Sequence, residues 1–300
     1  MKRHDGPRVV VVTRRSEYDE LLRRHGTRGQ AAFFLDTRGL ELGPVEKRHE
    51  RLEEARLRVQ GAIPRGWRRA RVERDDLSRF VFEPSDIVVA VGQDGLVANV
   101  AKYLEGQPVI GINPDPENFD GVLVPHPPAR AQALLAACGA NRQQCQHRTM
   151  VEARLDDGQR LVALNEIFVG ARTHQSARYR LALGETQERH SSSGVIVTTG
   201  TGATGWALSI RRQRRCDLEL PSPEDPKLAF FVREAFPSIA TGTDLTEGLL
   251  TSQDGLEVIS EMGGGGVIFG DGIEDDRLDF RWGVRATIRR ADRTLDLVLG

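Results

Sequence analysis

The chain has 300 residues, with 42 basic against 43 acidic and a net charge of −1 at pH 7. Its hydrophobic share of 39% and charged share of 28% fit a folded protein of one large or two ordinary domains, not a disordered or fibrous one. The balance of charge removes the electrostatic case for a general nucleic-acid or anionic-membrane binder.

The basic N-terminus carries an apolar run of residues 9–12 only, too short for a secretory signal. No window approaches the roughly 18 apolar residues of a membrane span. The three cysteines, Cys138, Cys145 and Cys216, are odd in number and form no C-x-x-C. That pattern fits reduced thiols in a cytoplasmic protein. The histidines are scattered without metal-ligand spacing, so no protein-built metal site is expected. Arginine supplies 38 of the 42 basic residues, a bias that a GC-rich genome explains better than anion binding does.

Taken in order, residues 9–13 read as a buried strand, and a helix is predicted from Ser16 with Tyr18, Leu21 and Leu22 on one face. Residues 31–35 are predicted as a second strand. From Pro44 to Gly61 the apolar residues Val45, Leu52, Ala55 and Val59 recur at helical spacing, with charges on the other face. Residues 86–91 (DIVVAV) form a strong strand that runs into Gly92-Gln93-Asp94-Gly95. A helix over 96–104 and a strand over 108–113 follow. This is a βαβ unit with its turn at the carboxyl end of a strand, where open α/β sheets bind ligands. After about residue 149 the pattern changes to short alternating runs separated by Gly, Asp and Ser. Only 207–214 and 226–235 hint at helix. The expected organisation is therefore an α/β domain over 1–148, Rossmann-like with a mostly parallel sheet, and a β-rich domain over 149–300.

Four places carry chemistry. Asp94, between Gly92 and Gly95, is a carboxylate on a tight turn after a buried strand, suited to act as a base or to help hold a metal. Taken alone, it is also an ordinary Asp-Gly turn. Asn165 and Glu166 interrupt an apolar strand, and their side chains point to opposite faces. One of them should face a cleft or core, unless the strand simply ends in solvent. Residues 194–206 (GVIVTTGTGATGW) match G-x-G-x-x-G through Gly200, Gly202 and Gly205. A dinucleotide fingerprint should open a parallel βαβ unit, and this one lies in the β-rich half. Thr199, Thr201 and Thr204 add hydroxyls that suit phosphate, ribose or a base edge. Asp271, followed by Gly272, makes a late acidic turn.

In this order the motifs resemble those of the NAD kinase family, which belongs with diacylglycerol and sphingosine kinases. The family's Gly-Gly-Asp-Gly turn corresponds to residues 92–95, and its GIN strand end to 111–113. Its Asn-Glu pair corresponds to 165–166, its Thr-Pro-Thr-Gly-Ser-Thr-Ala-Tyr loop to 199–206, and its late Asp-Gly to 271–272. The resemblance implies an active site between the two domains. It makes Asp94 the base for the acceptor hydroxyl, the 2′-hydroxyl of the adenosine ribose of NAD. Asn165, Glu166 and the loop of Thr199, Thr201, Gly202 and Thr204 would hold the acceptor, with Gly92, Gly95 and Asp271 completing the nucleotide site. ATP with Mg²⁺ would be the donor, and a homodimer or homotetramer the assembly.

The departures are several. Gln93 replaces a glycine, at a cost of roughly 1–2 kcal/mol if that position needs φ > 0. Leu96 replaces a threonine or serine. Pro114-Asp115-Pro116 continues the GIN strand. Gly200, Ala203 and Trp206 replace proline, serine and tyrosine, and Arg211-Arg212 replaces a Gly-Gly pair. An extra charged segment, 44–80, precedes the first motif, and the chain ends at a strand. Alternatives are a kinase of this fold for another hydroxylated metabolite (sugar, nucleoside or lipid), a non-catalytic nucleotide-binding protein, and a Rossmann dehydrogenase.

Overall fold

A computed structural model describes residues 6–251 and 253–300. The chain divides into two compact units, 1–146 with 296–300, and 147–295.

The first unit runs β1 (Arg8–Thr13), α1 (Glu17–His25), α2 (Arg28–Asp36), α3 (Gly43–Ala62), β2 (Arg68–Glu73), β3 (Ile87–Val91), α4 (Asp94–Ala101), β4 (Pro108–Ile112) and α5 (Ala131–Gly139). The strands pair in parallel in the order β2-β1-β3-β4. Val9, Val11, Val89, Val91, Ile110 and Ile112 pack against Ala55, Val59, Leu134 and Leu135 of α3 and α5. The valine-rich strands are buried on both faces, which is why they read as unbroken apolar runs. Ser16 starts α1 with a capping box. Its side chain accepts from the Asp19 amide, and Asp19 accepts from the Ser16 amide.

The second unit continues with β5 (Cys145–Leu155), β6 (Arg160–Ala163), β7 (Glu166–Ala171), β8 (Ala177–Leu183), β9 (Thr186–Ser192), β10 (Val195–Thr198), α6 (Trp206–Arg214), β11 (Leu228–Val232), β12 (Glu247–Leu250), β13 (Leu256–Ser260), β14 (Gly266–Gly270), β15 (Ile273–Asp279) and β16 (Arg285–Val298). One antiparallel sheet has the order β12-β11-β10-β7-β14-β15. Strands β9, β8, β13 and β16 form a second antiparallel array, and β5 pairs with β6 and β16. Ile167, Val169, Val197 and Phe230 of the first array share a core with Tyr179, Leu181, Val258 and Ile288 of the second. Helix α6 covers the other face through Ala207 and Ile210 against Phe168, Ile196 and Phe231. The last residues of β16 return to the first unit. There Asp296 and Leu297 lie parallel to Pro108 and Val109 of β4.

Two expectations need correction, and one strand carries no sequence signal. Residues 31–35 are helical, within α2, because Thr27 caps the helix through the Gln30 amide and Ala31 and Leu35 bury one helical stripe. A short apolar run does not by itself distinguish a strand from a buried helix. Residues 226–235 hold β11, not a helix. All five of its residues are buried, with a sheet neighbour on each side. Strand β2 was not anticipated at all. It is an arginine-rich edge strand with only Val72 buried, so it lacks an apolar signature.

Candidate functional site

In the first unit β3 ends at Val91 and α4 begins at Asp94. The intervening Gln93 has φ −103° and ψ 167°, ordinary extended backbone. The strain anticipated for a non-glycine there does not arise. Gly92 has φ +159°, and a Cβ on it would stand 3.3 Å from Leu96. A Cβ on Gly95 would meet nothing within 4 Å, so the first turn of α4 lies open.

The Asp94 carboxylate accepts three backbone amides. The Val122 amide reaches Oδ2 at 3.0 Å, and those of Leu123 and Val124 reach Oδ1 at 2.7 and 3.2 Å. The segment that brings these amides follows β4. Gly111 lets it pass, since a Cβ there would stand 2.0 Å from the Leu123 carbonyl oxygen. Asn113, buried, donates to the Phe119 carbonyl at 2.7 Å and accepts from the Asp115 amide at 2.9 Å. Asp115 in turn pairs with Arg51 of α3 at 2.5 Å. Sequence reasoning missed Asn113 and Asp115 as builders of this loop, although the Pro-Asp-Pro continuation marked it as unusual.

In the second unit three of the four motifs come together. Asp271, at φ 55°, accepts the amides of Leu164 at 3.0 Å and Asn165 at 2.7 Å. Its own amide donates to the Glu166 carbonyl at 3.1 Å. The Thr199 amide donates to the Asn165 carbonyl at 2.9 Å, and the Thr199 hydroxyl to the Leu164 carbonyl at 2.6 Å. The Thr199 hydroxyl also accepts from the amides of Thr201 at 3.1 Å and Gly202 at 3.3 Å. Thr199 and Thr201 are therefore buried members of the loop's framework, and Thr201 lies 3.4 Å from the Arg148 guanidinium. Thr204 is exposed and donates to the Thr201 carbonyl at 3.1 Å.

The glycines of this loop serve close packing. A Cβ on Gly200 would stand 1.8 Å from the Ser222 carbonyl oxygen, and one on Gly202 2.3 Å from that of Asn165. The strand before the loop, β10, is antiparallel to both its neighbours, β7 and β11. The loop thus opens no parallel βαβ unit, which removes the Rossmann dehydrogenase.

The backbone of Asn165 and Glu166 is pinned, while neither side chain has a hydrogen-bond partner among the described residues. Burial first, and then the neighbouring Asp271 charge, push the Glu166 carboxyl up to about 7. Close to neutral pH this group therefore shifts between donor and acceptor. Trp206 stacks on Phe168 at 5.9 Å, and Arg233 lies over its ring at 4.9 Å. Of the basic pair in α6, Arg212 is exposed and Arg211 is half-buried, with its Nε buried and unpartnered.

No family model matches the chain. NAD kinase 2, mitochondrial, of Rattus norvegicus is 26% identical over 310 residues, covering 76% of this chain and 73% of that protein. The crystal structure of an NAD kinase from Archaeoglobus fulgidus in complex with ATP matches 97% of this chain and 93% of its own, with a TM-score of 0.59 and 19% identity. Yeast NADH kinase complexed with NADH matches 99% and 84%, with a TM-score of 0.59 and 15% identity. The two structures define the class of fold, a mostly parallel first part followed by a β-rich second part. NAD kinases are thus what the chain is similar to in sequence, at 26% identity over three quarters of its length, and in fold.

Proposed function

We propose that the chain transfers the terminal phosphoryl group of ATP to the 2′-hydroxyl of the adenosine ribose of NAD. Its likeness to NAD kinases supports a phosphotransferase with an alcohol acceptor. The observation that supports the reading most is the joining of Asn165-Glu166, the Thr199 loop and Asp271 into one hydrogen-bonded unit. Its unpartnered polar side chains, Asn165 and Glu166, suit the acceptor nucleotide. Asp94 is the base. A carboxylate offers about four lone-pair sites, and three amides occupy all but one of them. The remaining site takes the hydroxyl proton, and the amides hold the oxygen in place while it does so. Gly92 and Gly95 leave backbone room for phosphate, and phosphoryl transfer depends mainly on such positioning and on charge neutralisation.

Mg²⁺ belongs to the same reading. Among the described residues no group of three or more acidic, histidine or cysteine side chains could hold a metal ion. On this reading a divalent ion would arrive on the donor's phosphates. A cytoplasmic location and a homodimer or homotetramer complete the proposal. No helix among the described residues is long and apolar enough to cross a membrane, and the described cysteines are free.

The test is incubation of the purified chain with ATP, Mg²⁺ and NAD, with NADP read by a coupled dehydrogenase. NADP formation is expected. Folded protein that consumes ATP only with another hydroxylated acceptor would overturn the choice of NAD, and protein that binds nucleotide without turnover would overturn the kinase reading. Light scattering reads the assembly.

A further inference from the structure

The amides that hold Asp94 come from a stretch with little backbone support of its own. Residues 113–125 run as turns and loop between β4 and the bridge at His126. Pro114 and Pro116 have no amide hydrogen to donate, so side chains fix the first half of the stretch. The centre of that fixation is Asp115, whose side chain is 6% exposed. Its carboxylate accepts from the Asn118 side chain at 2.9 and 3.0 Å, and its carbonyl accepts from the amides of Asn118 and Phe119, both at 3.1 Å. Asn113 holds the Phe119 carbonyl at 2.7 Å. Only Asp120 and Gly121 then separate Phe119 from Val122, the first of the amides on Asp94. Gly121 gives this link no slack. It has φ 66°, and a Cβ on it would stand 2.7 Å from the Val124 carbonyl oxygen and 2.8 Å from Asn113 Nδ2.

A buried carboxylate needs a compensating charge, and the cation comes from outside the stretch. Arg51 of α3 reaches Asp115 Oδ1 at 2.5 Å and Glu117 at 3.8 Å. Helix α3 is itself seated on the core of the parallel sheet through Ala55 and Val59, one and two turns beyond Arg51. The pair therefore ties the loop to a fixed element. That element belongs to the charged segment to which the motif resemblance gives no role.

We propose that Arg51 is a positioning residue for phosphoryl transfer. Through Asp115 it sets the loop over 113–124, and so the three amides that aim the Asp94 carboxylate. The inference rests on the reading of Asp94 as the base of a kinase. Without Arg51, the Asp115 carboxylate keeps a neutral Asn118 amide group in place of a cation, and the loop must open to solvate it. The Asp94 amides move with the loop. A displacement of about 1 Å at a reacting group can cost on the order of 10²-fold in rate.

Steady-state kinetics of Arg51→Ala, alone and combined with Asp94→Asn, test this. Arg51→Ala is expected to lower kcat about tenfold or more and to leave the KM values for ATP and NAD within threefold. Arg51→Lys, which keeps the charge, is expected to recover kcat to within threefold of wild type. In the Asp94→Asn background Arg51→Ala should cost less than twofold more, because the two act through one group. Arg58→Ala removes an exposed pair with Glu54 on the same helix, and its kcat should stay within twofold of wild type. An unchanged kcat in folded Arg51→Ala, or the same tenfold loss in the Asp94→Asn background, overturns the proposal. Arg51→Gln replaces Arg51→Ala if the latter does not fold, with the same expectations. If wild type turns over no acceptor, the kinase reading fails on its own, and amide hydrogen exchange still decides the clamp. Exchange at Val122, Leu123 and Val124 that is at least tenfold faster in Arg51→Ala and near wild type in Arg58→Ala supports it. Equal exchange in Arg51→Ala and wild type overturns it.

Discussion

Glu166 and Asp94 are both carboxylates at candidate positions, and their surroundings are opposite. Glu166 is held near 7 by burial and by Asp271, whereas Asp94 is held by three amides. A carboxyl whose folded pKa is raised binds more protons folded than unfolded between its unfolded value and about 7, so its contribution to stability falls as pH rises through that window. Glu166→Gln removes the titration. Thermal melts should find the variant more stable than wild type at pH 8, by on the order of 2 kcal/mol, and nearly equal to it at pH 5. A pH-independent difference would show that Glu166 is not the group concerned. Asp94→Asn keeps the shape, loses the base and keeps one acceptor oxygen, enough for the Leu123 and Val124 amides but not for the Val122 amide as well. NADP formation should fall by about 10²–10⁴-fold, the usual contribution of a general base, with the melting temperature lowered by only a few degrees. Glu166 stands out in the sequence because it interrupts an apolar strand, whereas Asp94 sits in an ordinary Asp-Gly turn and stands out only through the order of the motifs. The partners of Asp94 were not legible, since they lie 28 to 30 positions away and reach it through a loop shaped by Gly111 and Asn113.

Elements were legible where burial left an unbroken mark. Strands β1, β3 and β4 read as apolar runs because neighbours cover both faces. Strand β2 and helix α2 escaped because one is polar at a sheet edge and the other is too short to display a helical period. The G-x-G-x-x-G pattern has a different cause from the parallel fingerprint it matches, since close chain crossing requires Gly200 and Gly202. Gly200 packs on Ser222, and a methyl group there would overlap the Ser222 carbonyl oxygen, 1.8 Å from the Cβ position. Gly200→Ala must displace the segment at Ser222 and Pro223, and that segment also takes the Thr149 amide on the Pro223 carbonyl at 2.9 Å. Urea denaturation should report a loss of about 3 kcal/mol or more, in the range of severe overpacking. Gly205→Ala is the control, since a Cβ there finds only the Gly202 carbonyl oxygen, at 3.7 Å. The control should lose about 1 kcal/mol or less.

For the whole molecule, the sequence charge had already divided in two, with net +4 over residues 1–150 and −5 over 151–300. The contact structure adds what charge does not encode, namely that the first unit includes the last five residues, 296–300. Asp296 and Leu297 extend the parallel sheet beside β4, Leu297 and Val298 are fully buried, and Val298 belongs to the first unit's core. The Val298 carbonyl meets the buried His126 ring at 2.8 Å, and the Gln144 amide donates to the Gly300 carbonyl at 2.8 Å. A strand contributed from the far end of the sequence makes the first unit's stability depend on residues that begin 150 positions beyond its other members, from 146 to 296. Deleting 296–300 removes two buried side chains, worth roughly 1.5–3 kcal/mol each, and leaves the edge of β4 and the His126 ring without partners. Differential scanning calorimetry of the deletion variant should lower the transition of the first unit by several degrees, and amide exchange in β4 should rise over the same residues. Protection in β10 and β11 of the second unit should stay close to wild type, because neither strand pairs with the deleted segment. Loss of protection in those two strands alone, with β4 unaffected, would contradict the assignment of the chain end to the first unit.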